Sequence, residues 1–205
     1  MKKVCLFLLV MTGLFIFNAC KPPVPPSSQI IYDKYNIILL LDLSDRIIVQ
    51  ENQPARDKEI IKHIYSVFEQ KVRNDLYLKS RDEIKVVIAP QLGSGLPYEV
   101  FEERLYVNME SINNFQRRKE EEIRREKFYA NLDTLYNKAE FSSVPAEYYG
   151  ADIWKYFYED LKDDYSRDTL TTNFLIILTD GYPIVGRDKE KLQPIKNKFP
   201  DLKVV

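Results

Sequence analysis

The stretch NIILLLDLSDRI, residues 36–47, decides the fold of this chain. It begins as a short and almost wholly apolar run, which ends abruptly at Asp42 and is followed by polar turn residues. A continuous apolar run of this length predicts a strand buried on both faces, as in a parallel sheet covered by helices. Asp42 therefore falls at the carboxyl edge of the sheet, where open α/β folds place their ligands.

A second stretch repeats this arrangement far downstream. In FLIILTDGYP, residues 174–183, an apolar run ends at Asp180, and Gly181 lets the backbone turn sharply just after it. The carboxyl ends of parallel strands meet at one edge of a sheet. We therefore expect Asp42 and Asp180 to face each other across that edge.

Composition limits the classes of function. The 205 residues suit one α/β domain with a short appendage. A formal net charge of −1 leaves no basic footprint, so we expect no nucleic-acid partner. The single histidine, His63, falls on the polar side of a predicted helix and lacks a partner for nucleophilic triad chemistry. The segment LGSGLP, residues 92–97, lacks the Lys of a phosphate-binding loop, which argues against a nucleotide site.

The amino terminus predicts an exported and lipid-anchored protein. Residues 1–3 carry two lysines, and residues 4–17 are apolar but too short for a comfortable membrane span. This pattern resembles a bacterial lipoprotein signal peptide covering residues 1–19, with Cys20 as the lipidated first residue of the mature chain. The alternatives are an ordinary secretory signal cleaved after Ala19 and an uncleaved anchor.

The segments that follow Cys20 divide the mature chain. Residues 20–33 comprise the lipidated cysteine and a Pro-rich, semi-rigid spacer, and residues 34–205 form the domain. Residues 200–205 begin another apolar strand just as the sequence stops, so we expect the domain to be incomplete at its carboxyl end. The anchor implies a location in the cell envelope, on the periplasmic side of a membrane or at the cell surface.

The order of the predicted elements indicates the fold class. Strands alternate with helices, which predicts an α/β fold with a doubly wound, mostly parallel sheet and helices on both faces. Asn52 is expected to cap the first helix, and the charged stretch at 116–127 is expected to be a solvated helix. The predicted strands cover residues 35–41, 84–89, 173–179 and 202–205, with an edge strand in a hairpin-like return at 98–107. The predicted helices cover residues 54–74, 116–140, 152–161 and 188–198.

The residues that follow the two buried runs carry a family resemblance. Asp42-Leu-Ser44-Asp-Arg, together with the LTDG of residues 178–181, resembles the von Willebrand factor A (vWA) domain over most of residues 34–205. The resemblance implies a Rossmann-like fold with a metal-ion-dependent adhesion site, where oxygen ligands hold Mg²⁺ and a partner's carboxylate completes the shell. Position by position, it implies Asp42, Ser44 and Asp180 as the metal ligands.

Two positions depart from the family's pattern. The third loop position, Ser in the family, is Arg46, and the family's Thr position falls on Ala151. Two carboxylates at a strand edge repel each other unless a cation lies between them, and one hypothesis is that the permanent positive charge of Arg46 takes the place of the metal. Alternatively, Asp45 or Asp152 supplies a further carboxylate that restores Mg²⁺ binding, although Asp152 also suits a helix cap.

Taken together, the export signal and the resemblance imply a non-catalytic, lipid-anchored envelope module that binds a protein partner at the carboxyl edge. Two alternatives belong to other classes. A haloacid-dehalogenase-like, Mg²⁺-dependent phosphoryl-transfer enzyme also has an Asp after its first strand, but it needs a second Asp where Ser44 stands. A structural envelope component with a vestigial site would keep the fold without holding a metal.

Overall fold

The computed structural model describes residues 33–44, 46–49, 51–91, 95–142, 151–180 and 202–204, which belong to one compact unit. Its five strands are β1 (Lys34–Leu41), β2 (Glu83–Ile88), β3 (Tyr106–Asn108), β4 (Thr171–Leu178) and β5 (Leu202–Val204). They form one sheet in the order β3-β2-β1-β4-β5. The neighbours of β1 and β4 are parallel to them, whereas β3 is antiparallel to β2, so the chain has a mixed α/β sheet.

Helices connect these strands. None of the helices in the described residues combines the length and the apolar character that crossing a membrane requires. The helices are α1 (Arg46–Val49), α2 (Gln53–Asn74), α3 (Tyr98–Arg104), α4 (Arg117–Ser142), α5 (Ile153–Lys155), a π-helical turn (Tyr156–Asp160) and α6 (Leu161–Asp164).

The central strand β1 divides its side chains between two hydrophobic cores. The odd-numbered Ile37 and Leu39 pack with buried residues of α2 and α4, whereas the even-numbered Ile38 and Leu40 pack with the helical segment 153–164. Because both faces of β1 are covered, an alternating polar pattern would bury polar side chains on one of them. The continuous apolar run of the sequence is therefore the pattern that this position requires.

The structure confirms the predicted strands near residues 35–41, 84–89, 173–179 and 202–205, and the predicted helix of residues 54–74. His63 is exposed, as expected. The expectation that the Asn52 side chain caps the first long helix is wrong. Asn52 does precede α2, but its φ of 60° is left-handed and its side chain makes no capping hydrogen bond. Side-chain capping uses an extended backbone at that position.

Two further expectations need correction. Most of the hairpin-like return at 98–107 is α3, and only Tyr106–Asn108 forms the edge strand. The reason is helical spacing, because Phe101 and Leu105 lie four residues apart and both are buried. The charged stretch at 116–127 is helical from Arg117 onward, but it is not wholly solvated, since Arg117 and Glu121 are buried.

Some expectations fall on residues that the structure does not describe. These are the signal peptide and most of the spacer, residues 1–32, and the helix expected at residues 188–198.

Candidate functional site

Three parallel strands end together at the carboxyl edge of the sheet. Leu41, the last residue of β1, lies level with Ile88 of β2 and Leu178 of β4. The ladder continues one residue further, because the Asp42 N–H donates to the Leu178 carbonyl at 2.9 Å and the Ala89 N–H donates to the Leu41 carbonyl at 2.8 Å. Asp42 therefore begins a loop beside the ends of both neighbouring strands.

Asp42 is 1% exposed, and its carboxylate accepts hydrogen bonds from two separate segments of the chain. The Ser44 N–H donates to Oδ1 at 2.9 Å, which is the local turn that an Asp side chain forms with the backbone two residues on. The Thr179 hydroxyl donates to Oδ2 at 2.9 Å from the end of β4. One donor is thus local and one comes from the neighbouring strand, and together they fix the orientation of the carboxylate.

Ser44 and Asp180 lie at the same edge. Ser44 is 4% exposed, and its carbonyl accepts the Ile47 N–H at 3.1 Å as the chain turns into α1. Asp180 follows Thr179 directly and is half-buried. Asp45 and the side chain of Arg46 lie outside the part of the chain that the structure describes, so Arg46 as a substitute for the metal stays an untested alternative.

Ala151 and Asp152 also reach this edge. The Asp152 N–H donates to the Pro90 carbonyl at 2.8 Å, just beyond the end of β2. Ala151 is 1% exposed and packs in the core that contains Ile38 and Leu40. The Asp152 carboxylate accepts the Lys155 N–H at 2.9 Å, which confirms that Asp152 caps the helical segment that begins at residue 153.

Thr179 is the functional residue that the sequence reasoning missed. The family's Thr position falls on Ala151, which brings no hydroxyl, but Thr179 brings one to Asp42 from another strand. The signal in the sequence is its position, one residue past the apolar run that pairs with β1 and directly before Asp180. Pairing of the two strands in register is what places the hydroxyl against the carboxylate.

The donor atoms at this edge suit a hard cation. Among the described residues there is no group of three or more His, Cys, Asp or Glu side chains that could hold a metal. The candidate donors are instead two carboxylates, Asp42 and Asp180, and the hydroxyl of Ser44. Carboxylate and hydroxyl oxygens with water in the remaining positions are the ligands that Mg²⁺ takes in proteins, so the residues fit this metal in kind.

An acidic groove of about 600 Å³ adjoins the site through Pro90 and runs along β2. The Glu102 carboxylate accepts the Ile88 N–H at 2.8 Å, and burial raises the pKa of Glu102. Lys85 pairs with Asp164 at 2.7 Å. The groove disfavours anionic ligands, because its lining includes five carboxylates, those of Glu102, Glu103, Asp160, Asp163 and Asp164.

Comparisons with protein-family models, with curated proteins and with solved structures found no match to this chain.

Proposed function

We propose that this chain is a non-catalytic, lipid-anchored module of the cell envelope that binds a protein partner at the carboxyl edge of its sheet. The observation that carries the proposal is the buried Asp42 carboxylate. It lies at the end of the central strand, and the Ser44 N–H and the Thr179 hydroxyl hold it in one orientation. A binding site needs its ligating side chains held in a fixed orientation, and these hydrogen bonds hold the Asp42 carboxylate in that way.

The proposal also specifies the fold beyond a mixed α/β sheet, as a doubly wound sheet of the vWA type. Supporting it, the strand order places β1 between two parallel neighbours, β2 and β4, with a hydrophobic core on each face. The chain passes from β1 to one side of the sheet and later returns to the other side. In open α/β sheets, ligands bind outside the carboxyl ends of the strands where the order reverses in this way.

In this proposal Asp42, Ser44 and Asp180 hold Mg²⁺. The metal would supply a positive charge to which a carboxylate of the protein partner binds. The chain's own residues prepare the position: Thr179 and the Ser44 N–H orient Asp42, and the paired ends of β1 and β4 keep Asp180 at the same edge. The burial of Asp42 strengthens its electrostatic interactions relative to those of an exposed carboxylate.

The metal is tested by titrating Mg²⁺ into the EDTA-treated full chain while thermal unfolding is followed. A ligand that binds only the folded state stabilises it, and we expect millimolar Mg²⁺ to raise the melting temperature by about 3 °C. Asp42→Asn should abolish the rise. Asp133→Asn, which alters a half-exposed carboxylate on α4, should leave it unchanged. An unchanged melting temperature of the wild-type chain at 10 mM Mg²⁺, about twenty times a submillimolar dissociation constant, would contradict the metal.

The same titration separates the metal from its expected substitute. A clear rise with Mg²⁺ would contradict Arg46 as the cation of the site, whereas no rise together with metal-independent partner binding would support it. Partner binding is measured by pull-down from envelope extracts with and without EDTA, with wild-type and Asp42→Asn chains in parallel. Hydrolysis of a generic phosphate ester that Asp42→Asn abolishes would contradict the non-catalytic role.

A further inference from the structure

The apolar surface of this domain is unevenly distributed. The three most exposed large hydrophobic side chains in the described residues are Phe115, Leu76 and Leu78, which are 97%, 65% and 58% exposed. We call these three residues the amino-edge patch. Large apolar side chains that are exposed close together mark sites of interaction with another apolar surface.

Arg117 joins the two turns that carry the patch. Its guanidinium donates to the carbonyls of Tyr77, Leu78 and Ser80 at 3.1, 2.9 and 2.7 Å, and its Nε donates to the Ile112 carbonyl at 3.1 Å. The turn after α2 and the turn before α4 are therefore held side by side.

The first of these turns keeps an unfavourable backbone conformation. Leu76 and Tyr77 have φ angles of 56° and 57°, in the left-handed region that residues other than Gly rarely adopt. Leu76 is mostly exposed, so burial of its own side chain does not offset this cost in the isolated domain. Such conformations persist where the surroundings impose them, and they occur often at functional surfaces.

The patch lies at the amino edge of the sheet, opposite the Asp42 site. The turn that carries Leu76 and Leu78 precedes β2, and the turn that carries Phe115 follows the antiparallel β3. The described chain begins at the same edge, because the carbonyl of Asp33 accepts a hydrogen bond from Lys71 in the last turn of α2. The domain is thus connected to the preceding spacer on the side that carries the patch.

The spacer is short and the patch has basic neighbours. Between Cys20 and Asp33 the chain can extend to about 40 Å, which keeps the domain near a lipid anchor at Cys20 but does not orient it. Three exposed basic residues follow the patch residues in sequence, Lys79, Arg118 and Lys119. Aromatic and aliphatic side chains flanked by Lys and Arg are the composition that binds the interface of an anionic bilayer.

Two carboxylates at the amino edge are engaged in ion pairs. Glu110 and Asp168 both pair with Arg81, each at 3.5 Å. These pairs reduce the negative potential that would otherwise oppose an anionic surface.

From these observations we propose that the amino-edge patch docks on an anionic lipid surface, with Leu76, Leu78 and Phe115 inserted at the headgroup boundary. The proposal rests on the proposed lipid anchor to keep the domain near the bilayer, and it adds an orientation. Docking would direct the carboxyl edge and Asp42 away from the membrane, toward a partner.

The test places a tryptophan at each edge of the full chain, reconstituted in vesicles of phosphatidylethanolamine and phosphatidylglycerol. The background is Trp154→Phe, which removes the chain's single tryptophan. Phe115→Trp reports the amino edge, and Ile48→Trp, at a 47% exposed position in α1 beside the Asp42 loop, is the matched control. Brominated phosphatidylcholine included in the vesicles quenches the fluorescence of tryptophans that contact the bilayer. If the background does not fold, both variants are compared with Trp154 retained and the parental signal subtracted.

We expect bromolipid to quench the tryptophan at position 115 at least about twofold more than the one at position 48, and we expect neutral lipid in place of phosphatidylglycerol to reduce the difference. Equal quenching at the two positions would overturn the proposal. A blue-shifted emission at position 115 that bromolipid does not quench would also overturn it, because a protein surface would then cover the patch. Co-flotation of the protein with the vesicles tests the lipid anchor separately. If the protein floats but the tryptophan at position 115 is not quenched, docking of the patch is contradicted and the anchor is not. If the protein does not float, both the anchor and the docking are contradicted.

Discussion

At the scale of single residues, Glu121 is a carboxyl group buried at a cost to the folded state. It is 2% exposed, and no hydrogen-bond partner for its Oε1 lies within the described residues; the same holds for the hydroxyl of its buried neighbour Tyr65. Burial and then the nearby Glu69 carboxylate raise the pKa of Glu121 to about 7, although Arg125 and Arg73 oppose the shift. The folded protein therefore holds a proton on Glu121 under conditions in which the unfolded chain has released it.

Glu121→Gln should therefore stabilise the protein at high pH. The pKa is raised on folding, so the folded state binds more protons between the unfolded value of 4.5 and the folded value of about 7, and its stability falls as pH rises through that window. The gain in unfolding free energy over wild type should be below about 0.5 kcal/mol at pH 4.5 and about 3 kcal/mol at pH 8. Urea unfolding across this range measures it.

The matched control for this prediction is Glu126→Gln, on an exposed position of the same helix. Its difference from wild type should stay within about 0.5 kcal/mol at every pH. A Glu121→Gln difference that is constant across the pH range would show that protonation of this group is not the cause.

At the candidate site, interactions between residues close in sequence could be predicted, and interactions between distant residues could not. The Asp42–Ser44 turn spans three residues, so its pattern is visible in the sequence. The hydrogen bond from Thr179 to Asp42 joins positions 137 residues apart and depends on the register of β1 against β4. The burial of Glu121 follows from the packing of α4 against α2, which a mixed-sign charge run does not encode.

At the scale of elements, Arg117 fixes the connection between α2 and β2. Its four hydrogen bonds all end on backbone carbonyls, three of them in the turn that follows α2 and one in the turn that precedes α4. A guanidinium presents donors in a planar fork, so one side chain satisfies carbonyls that point at it from two segments. Two of these four hydrogen bonds, those to Ser80 and Ile112, are buried, where a lost backbone partner is costly.

Arg117→Lys should consequently destabilise the protein although the charge is kept. A lysine has a single donor nitrogen at the end of its side chain and cannot reach both turns, so we expect a loss of about 2 to 3 kcal/mol in unfolding free energy. Chemical denaturation measures the loss. Amide hydrogen exchange should also become faster in residues 76–80, where the carbonyls lose their donor.

The neighbouring exposed arginine supplies the control for this substitution. Arg118→Lys makes the same substitution at an exposed position that does not join the two turns. It should alter the unfolding free energy by less than about 0.5 kcal/mol. Equal effects of the two substitutions would mean that the fork geometry of Arg117 does not matter.

Elements were predictable where one pattern dominated. The apolar runs of β1, β2 and β4 each have one interpretation, and the structure confirms these three strands. The segment 98–107 mixes aromatic and charged residues, and there the burial of Phe101 and Leu105 at helical spacing decided the outcome. The π-helical turn at Tyr156–Asp160 has no marker in the sequence that we can identify.

At the scale of the whole molecule, the sheet separates two surfaces. The proposed metal site lies at the carboxyl edge and the amino-edge patch lies at the other, and a strand of eight residues spans roughly 25 Å between them. Sites at this distance that share no partners usually act additively. The strand between them is firmly buried, because every residue of β1 except Tyr35 is buried. We therefore expect each edge to keep its property when the other is altered.

Leu76→Asp and Asp42→Asn should separate the two edges. Leu76→Asp places a charge in the patch, and it should reduce bromolipid quenching of a tryptophan at position 115 by about half or more while leaving the Mg²⁺-induced rise in melting temperature unchanged. Asp42→Asn should remove that rise and leave the quenching unchanged. The double variant should show both losses at the size seen in the single variants, because sites about 25 Å apart with no common contacts rarely couple. A variant that changes both measurements would show instead that the sheet transmits a change from one edge to the other, and the two surfaces would then have to be treated as one device.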